Sequence, residues 1–396
     1  MTEKMKINIT PLKKKGFKSE NFTFVDFKTN KLHQECFDTL TKIYNEIENQ
    51  NLSNKEKSII NKIFKSYKKA FNNEELADDE MILNNHELLE FKKINKKDFV
   101  RYLVYRYKYN KYSQLKILDE YPPCINIEPT SVCNYRCVMC YQADKTFSKK
   151  SSGFMGNMSF ELFKKVIDEI NGKIEAVTLA SRGEPTLNKE LDKMLKYCEK
   201  KFLALKLNTN ASLLNEKNIH SLLSSDLQTI VFSIDEKNKE NYEKIRINGK
   251  FEKILKNLEL FNKIRDTKYN RSDKVVRISG VKINKNQNLD EMKAQWKDYA
   301  DIVAFTNYQP WESSYDNPVN DIDRVCGELY NSMYVWWDGK VNPCDFDYKS
   351  TLSKWNAKDK SIKDIWNSEP YNFLRQKHIN KQRSSIEPCK RCISTS

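Results

Sequence analysis

The sequence contains no apolar run that approaches the ~20 residues needed to span a bilayer, and its first residues, MTEKMKINITPLKKKG, lack the apolar stretch of a signal peptide. Internal repeats and low-complexity segments are also missing. We therefore expect a cytoplasmic protein that does not contact a membrane. The hydrophobic fraction of 39% and the aromatic fraction of 12% exclude a largely disordered chain. A length of 396 residues predicts two or three domains.

Basic charge is concentrated near the start of the chain. The net charge is +15, and residues 1–118 account for +8 of it, with 24 Lys and Arg against 16 Asp and Glu. Within them, residues 91–116 hold nine basic side chains interleaved with tyrosines, which predicts a basic, aromatic helix. Its tyrosines either line a face packed on the next domain or belong to a docking surface for an acidic partner. One helix without a nucleic-acid-binding fold argues against a nucleic-acid partner.

Three regions are predicted from the change of pattern along the chain: helical residues 1–118, a central region at 119–320 and a small C-terminal domain at 321–396. In the central region, short β-rich runs alternate with amphipathic helices, as in a parallel sheet covered by helices. Six strands are predicted at 124–128, 176–180, 204–208, 229–233, 275–282 and 302–306, with helices such as 160–170 and 190–200 between them. We predict an α/β fold, a partial (β/α)6 TIM-like barrel whose reactive groups lie at the C-terminal strand ends.

The C-terminal region has its own pattern. Residues 333–337 and 340–342 flank an Asp-Gly pair, which predicts a hairpin with a type I′ turn. Two short helical segments at 362–367 and 374–380 lead to a final pair of cysteines.

Ten cysteines in a chain expected to be cytoplasmic indicate metal ligands or catalytic groups before disulfides. Three of them form the segment CNYRCVMC directly after the first strand, namely Cys133, Cys137 and Cys140. Thiolates are the usual protein ligands of a 4Fe-4S cluster, and three of them leave one iron open to chelate a small molecule. The alternatives are a zinc site that lacks one ligand and three unconnected cysteines.

Polar residues end the neighbouring strands, at the same edge as these cysteines. After the second strand, Gly183 permits close backbone approach and Glu184 can accept a hydrogen bond from an ammonium group. The later strand ends add hydroxyl, amide, carboxylate and guanidinium groups that suit a ribose and a carboxylate, at Asn208, Ser233, Asp235 and Arg246. Taken singly, each has a capping or solvated role as an alternative.

Over residues 120–310 these motifs resemble the radical S-adenosylmethionine (SAM) superfamily, whose C-x3-C-x2-C hallmark corresponds to Cys133, Cys137 and Cys140. The resemblance implies that these three are catalytic and hold a SAM-cleaving 4Fe-4S cluster. It also implies contacts to the methionine amino group from Gly183, Glu184 and Pro185, and to the ribose and carboxylate from Ser233, Asp235 and Arg246. The chain departs from many members at Arg182, Glu236, Ala211 and Met139.

Four later cysteines form a second group, at Cys326, Cys344, Cys389 and Cys392. A structural zinc ion could occupy them equally well on spacing alone. The segment around Asp338-Gly339 and Pro343-Cys344 and the closing C-x2-C resemble the SPASM/twitch domains of this superfamily. That resemblance implies one auxiliary 4Fe-4S cluster, and the four-cysteine spacing is similar to that of a cyclitol-oxidising member.

The resemblance implies reductive cleavage of SAM to a 5′-deoxyadenosyl radical, hydrogen abstraction from the substrate and loss of a second electron to the auxiliary cluster. We expect an oxidoreductase that acts on a small polar, sugar-like or cyclitol-like molecule, with an electron donor such as flavodoxin or ferredoxin. The alternative is maturation of a ribosomal peptide or protein, and a non-catalytic iron-sulfur RNA-binding or sensor protein is a third interpretation. Epimerisation would need a spare thiol, and none of Cys36, Cys124 and Cys198 is well placed to supply it.

Overall fold

The computed structural model describes residues 31–271 and 274–393, without the side chains of Asn85, His86 and Leu89. The part of the predicted helical region before residue 31 lies outside the described residues. Between residue 31 and the sheet lie four α-helices: α1 (Lys31–Asn45), α2 (Asn54–Phe71), α3 (Asn85–Phe91) and α4 (Phe99–Leu115). No helix within the described ranges is long and apolar enough to cross a bilayer.

A parallel sheet forms the centre of the molecule. Its first six strands pair in sequence order, each parallel to the next. They are β1 (Cys124–Ile127), β2 (Ala176–Leu179), β3 (Ala204–Thr209), β4 (Thr229–Ser233), β5 (Val275–Lys282) and β6 (Ile302–Asn307). The predicted α/β fold is confirmed, because six consecutive parallel strand-helix units give an open partial barrel.

The two faces of the sheet follow from the alternation of side chains along each strand. One face buries apolar side chains such as Leu179, Leu207 and Phe232 in the main core, against the covering helices. These helices and the short helix after β1 are α5 (Lys145–Ser148), α6 (Phe160–Ile170), α7 (Leu191–Tyr197), α8 (Glu216–Ser224), α9 (Lys239–Ile245), α10 (Phe251–Lys268) and α11 (Leu289–Trp296). The opposite face lines the interior of the partial barrel, which we call the lumen.

The C-terminal region extends the same sheet. It comprises α12 (Glu328–Asn331), β7 (Ser332–Val335), β8 (Lys340–Asn342), β9 (Trp355–Asn356), α13 (Ile362–Trp366) and α14 (Glu369–Ile379). Strand β7 pairs in parallel with β1, so that Cys124 lies opposite Ser332, and β8 and β9 follow antiparallel. The first strand of the barrel therefore has a partner on both sides.

The hairpin between β7 and β8 differs from the predicted type I′ turn. That turn needs a positive φ at both central residues, whereas only Gly339 has one, at +87°. The Gly339 N–H donates to Trp336 O at 2.9 Å, and the Trp336 N–H donates to Lys340 O at 2.9 Å. This is a type I turn followed by a left-handed glycine bulge. A side chain at Gly339 would also meet Asn356 Oδ1 at 2.3 Å.

Helix α4 packs against the lumen face where the strands begin. Its buried tyrosines, including Tyr102 and Tyr105, share one apolar cluster with Cys124 of β1 and Ala176 of β2. The predicted tyrosine-lined face packed on the next region is thereby confirmed. The helix closes this end of the lumen, and the other end carries the cysteine loop.

Candidate functional site

The loop after β1 carries Cys133, Cys137 and Cys140 and is fastened to the end of α9. The Arg136 N–H donates to Ile247 O, and the Val138 N–H donates to Ile245 O, both at 3.0 Å. Burial raises the pKa of the Cys133 thiol to about 12. Such thiols need a strong electropositive partner before they ionise, and a bound iron would supply one. The loop thus presents three sheltered thiols at the C-terminal edge of the sheet.

Gly183 lies where backbone must approach backbone. A Cβ at this residue would come within 2.1 Å of Thr130 O and 2.7 Å of Val132 O. The next residue donates its N–H to Val132 O at 2.9 Å. The absence of a side chain therefore lets the 183–185 turn pack directly against the segment that enters the cysteine loop.

The carboxylate of Glu184 is buried and held from the neighbouring strand. Its Oε1 accepts hydrogen bonds from the Thr209 hydroxyl at 2.7 Å and the Thr186 hydroxyl at 2.6 Å. Its Oε2 accepts the Asn210 N–H at 2.7 Å. Because Oε2 takes only this one bond among the described residues, it keeps a lone pair for an ammonium group. Pro185 begins the short 3-10 turn that follows.

Asn208 and Ser233 lie at the ends of β3 and β4. The Asn208 Oδ1 atom is buried and has no hydrogen-bond partner within the described part of the chain. A buried amide oxygen without a partner carries a desolvation penalty that a ligand donor would remove. Ser233 lies opposite Ser279 of β5. The unpartnered Asn208 oxygen could accept a hydrogen bond from a bound molecule, and the cofactor contacts of both residues stay predictions.

Asp235 and Arg246 form a buried ion pair with each other. The Arg246 Nε donates to Asp235 Oδ2 at 2.5 Å, and the Val281 N–H donates to Asp235 Oδ1 at 2.8 Å. Burial raises the pKa of the Cys137 thiol, and the guanidinium of Arg246 beside it opposes that rise. The pair therefore lies next to the cysteine loop, with Asp235 holding the guanidinium in place.

Sequence reasoning missed a second buried ion pair, between Glu128 at the end of β1 and Arg182. Arg182 Nε and Nη2 donate to the two carboxylate oxygens of Glu128 at 2.7 and 2.6 Å. Arg182 Nη1 also donates to Tyr348 O at 2.8 Å, and its guanidinium lies 4.0 Å from the centre of the Trp336 ring. The residue that departs from the superfamily pattern thus ties the 183–185 turn to the C-terminal region.

The four later cysteines come together at the end of the C-terminal region. Burial raises the pKa of the Cys344 thiol well above its ordinary value, and the nearby thiols of Cys389, Cys326 and Cys392 add to the rise. The buried Arg383 holds the closing pair, donating to Cys389 O at 3.1 Å and Cys392 O at 2.7 Å. The four cysteines therefore lie near one another, and their role as ligands stays a prediction.

A cluster fits both groups of thiols. Residues 31–271 and 274–393 hold no group of three Cys, His, Asp or Glu side chains close enough to share a single metal ion. A four-iron cluster distributes its ligands over separate irons and does not require such a group. The first group has one buried and two partly buried cysteines with polar groups beside it, whereas the second has four partly buried cysteines beside an apolar cluster.

An aromatic layer separates the two groups. Tyr141, which follows Cys140, stacks on Trp311 at 6.5 Å and contacts Tyr348 at 5.3 Å. Trp311 in turn meets Phe346, two residues after Cys344, at 5.6 Å. The ring contacts are continuous from Tyr141, beside Cys140, to Phe346, near Cys344.

Replacing Gly183 with alanine is expected to displace the cysteine loop, because a Cβ has no space beside Thr130 O. Iron bound at the first group should fall, and the loop should become accessible to protease. Iron analysis after anaerobic reconstitution and limited proteolysis measure the two effects. The control Gly172→Ala, with open space but a φ of +71°, should cost about 1 kcal/mol and leave the iron content unchanged. Full iron binding in Gly183→Ala would contradict the packing role of this residue.

Comparison with known proteins matches two segments of the chain. A sequence model of the radical SAM superfamily matches residues 127–284, and one of the SPASM iron-sulfur cluster-binding domain matches residues 326–393. The first segment contains Cys133, Cys137 and Cys140 together with the 183–185 turn. The second contains all four later cysteines.

Individual relatives are more distant. The chain is 24% identical over 302 residues to the tungsten-containing aldehyde ferredoxin oxidoreductase cofactor-modifying protein of Pyrococcus furiosus, covering 63% of this chain and 82% of that protein. It is 24% identical over 215 residues to the mycofactocin maturase MftC of Mycolicibacterium smegmatis, covering 54% and 51% respectively.

Among solved structures, Streptococcus suis SuiB bound to the precursor peptide SuiA has a TM-score of 0.53 at 16% identity, covering 82% of this chain and 84% of SuiB. This similarity concerns the fold. The two matching domains show that the protein is a radical SAM superfamily enzyme with a C-terminal SPASM iron-sulfur cluster-binding domain.

Proposed function

We propose that this protein is a radical SAM maturase that abstracts hydrogen from a peptide or protein substrate and leaves it oxidised. The observation that carries the proposal is the combination of a three-thiol loop and a four-thiol group on one sheet, in a chain whose relatives include a named maturase. A fold shared with a protein that binds a precursor peptide adds support. The sequence alone favoured a small polar substrate, with a ribosomal peptide or protein as the alternative. We now favour the peptide or protein.

Each group of cysteines has a separate task in this proposal. Cys133, Cys137 and Cys140 hold the SAM-binding 4Fe-4S cluster, and Cys326, Cys344, Cys389 and Cys392 hold the auxiliary one. When bound, the first cluster would pass an electron from the external reductant to SAM, and the auxiliary cluster would accept the electron that the substrate loses.

The surrounding residues bind and orient. Glu184, fixed by Thr209 and Asn210, presents a carboxylate lone pair to the methionine ammonium of SAM. Asn208 and Ser233 contribute an amide oxygen and a hydroxyl at the neighbouring strand ends. Arg246, held by Asp235, provides a positive charge for the carboxylate. The aromatic layer adds ring contacts between the two cysteine loops.

Oxidation of a small sugar-like or cyclitol-like molecule is the second candidate. The four auxiliary cysteines support it, because four ligands suit one auxiliary cluster. Their spacing is similar to that of the cyclitol-oxidising superfamily member named in the sequence analysis. In both candidates the reaction consumes SAM and an external reductant.

The test is anaerobic reconstitution with iron and sulfide, followed by dithionite, SAM and candidate substrates. Short peptides encoded beside the gene and a panel of aminocyclitols would be compared for 5′-deoxyadenosine and for a product that has lost two hydrogens. Oxidised peptide supports the proposal, and oxidised cyclitol supports the second candidate. No 5′-deoxyadenosine with any substrate would favour the sensor interpretation.

Cys344→Ala is expected to separate the two tasks. Removing one of four auxiliary ligands should eliminate oxidised product, while SAM cleavage should remain within about threefold of wild type because Cys133, Cys137 and Cys140 are intact. The ratio of oxidised product to 5′-deoxyadenosine measures this uncoupling. Cys36→Ala, which removes a buried cysteine in α1, is the control. Full product yield from Cys344→Ala would disprove the electron-acceptor role.

A further inference from the structure

Two basic side chains point into the lumen from the middle of strands. Leu205 and Leu207 of β3 lie in the main core, so Lys206 between them faces the opposite side. Val276 and Ile278 of β5 lie in the same core and place Arg277 on the lumen side in the same way. A Lys and an Arg therefore face the interior of the partial barrel.

The strand register places these residues below the SAM-binding edge. Asn208 lies opposite Val231, which lies opposite Arg277, so Asn208 and Arg277 are at the same height in the sheet. Lys206 lies one inward-facing step closer to the strand starts, where helix α4 closes the lumen. Since β3 and β5 flank β4, their backbones are about 10 Å apart, a distance that two long side chains can bridge to one group.

Neither cation has a counter-ion in this structure. No hydrogen bond or ion pair joins Lys206 or Arg277 to another residue of the described chain, and Arg277 Nε is buried without a partner. Burial lowers the pKa of Lys206, and the nearby Arg277 lowers it further. Two like charges in a sheltered lumen repel each other, and an anion between them would relieve this cost.

The carboxylate that acts on both cations is already engaged. Glu90 of α3 acts electrostatically on both cations, but its Oε2 accepts the Tyr102 hydroxyl at 2.8 Å and an Arg106 guanidinium N–H. Arg106 also lies 3.7 Å from Glu87. This carboxylate is thus shared with the α4 network and does not close an ion pair with Lys206 or Arg277.

We propose that Lys206 and Arg277 form a carboxylate-binding site in the lumen that holds an acidic group of the substrate beneath the SAM-binding residues. This inference rests on the proposed function, since a peptide offers such a group as an acidic side chain or a C-terminal carboxylate. The guanidinium binds two carboxylate oxygens side by side, and the ammonium adds a third charged hydrogen bond. The site fixes which part of a peptide lies under the reactive edge.

Protection of Lys206 from a small amine-reactive reagent tests the site without the radical reaction. The reconstituted enzyme would be treated with acetic anhydride. The rate of acetylation of each lysine would then be measured by mass spectrometry of the peptide that contains it. Three probes distinguish the sources of the carboxylate: N-acetylglutamate α-amide has only the side-chain group, N-acetylglutamine only the terminal one, and N-acetylglutaminamide neither. Lys173, which is exposed, is the internal reference.

At least one carboxylate probe is expected to slow acetylation of Lys206 by about fivefold or more, and to do so saturably, whereas the neutral amide should have no effect. In Arg277→Met the concentration for half protection should rise about tenfold or more, the usual result of losing one charged partner. Arg277→Lys should keep part of the protection. Arg271→Met removes an exposed guanidinium just before β5 and should behave as wild type.

Equal protection by all three probes, or no protection of Lys206 by any of them, would overturn the proposal. Unchanged protection in Arg277→Met and Arg277→Lys would also overturn it, as would protection by inorganic phosphate alone. Because labelling needs no SAM cleavage, these outcomes are separate from those of the product assay. An enzyme that fails to oxidise peptides but shows Arg277-dependent protection would refute the proposed function and leave the site standing.

Discussion

The variant Cys137→Ala should lose 5′-deoxyadenosine formation to the background rate and about half of the iron bound after reconstitution. Two remaining thiols in the loop cannot hold a cluster that needs three and still leave one iron open to SAM. Iron and sulfide analysis, the visible absorption of the reduced and oxidised enzyme, and chromatographic assay of 5′-deoxyadenosine measure the loss. The auxiliary site should be unaffected, because its four cysteines come from the C-terminal region.

The matched control is Cys198→Ala, which removes a fully buried cysteine at the end of α7 that has no predicted ligand role. It should keep all of its iron and its SAM cleavage. If Cys137→Ala still cleaved SAM at the wild-type rate, the assignment of the loop would be wrong. If Cys198→Ala lost iron to the same extent, the loss would reflect general destabilisation.

The largest structural effect is expected from Arg182→Met. This change leaves the carboxylate of Glu128 buried with no cation beside it, and breaking such a pair costs about 3–5 kcal/mol. For a chain of this length, that corresponds to a fall in melting temperature of about 4–6 °C. Differential scanning calorimetry under anaerobic conditions gives the value. Contacts to Trp336 and Tyr348 are lost with the guanidinium, so the C-terminal region should also become easier to cleave.

Two controls define the origin of that effect. Lys164→Met breaks the exposed pair with Asp168, which solvent screens, and should lower the melting temperature by about 1 °C or less. The double variant Arg182→Met/Glu128→Gln removes the orphaned charge and should recover part of the loss. A single variant that melts with wild type would show that the buried pair does not hold the two regions together.

The local sequence pattern was sufficient to predict most strands of the sheet. Strands 229–233 and 275–282 were predicted to the residue because both are rich in β-branched side chains, and the other strands of the barrel differ by one residue at the end. The helix predicted at 190–200 ends earlier, at Tyr197, since Lys200 adopts a left-handed φ of +59°. A lysine at residue 200 does not indicate the end of a helix.

Contacts distant in sequence were the part that could not be predicted. Strands β1 and β7 pair, but nothing in the sequence of either strand indicates the other as its partner. Glu128 and Arg182 are 54 residues apart, and each reads as an ordinary polar residue at a strand end. The cysteines were found because their spacing is itself the signal. The position of Lys206 could be predicted in part. It is a charged residue between two leucines of a buried strand, and the alternation of side chains places it on the inner face of the sheet.

The pairing of β1 with β7 also sets an order on biosynthesis. The second edge of β1 is covered only after Ser332 and the rest of β7 have been synthesised. Until most of the chain has emerged from the ribosome, the nascent barrel therefore has an unpaired parallel edge. A long-range closure of this kind slows folding and leaves an aggregation-prone intermediate. A shortened protein that ends before β7 would keep that edge permanently, so the catalytic region cannot be separated from its C-terminal partner without an exposed strand.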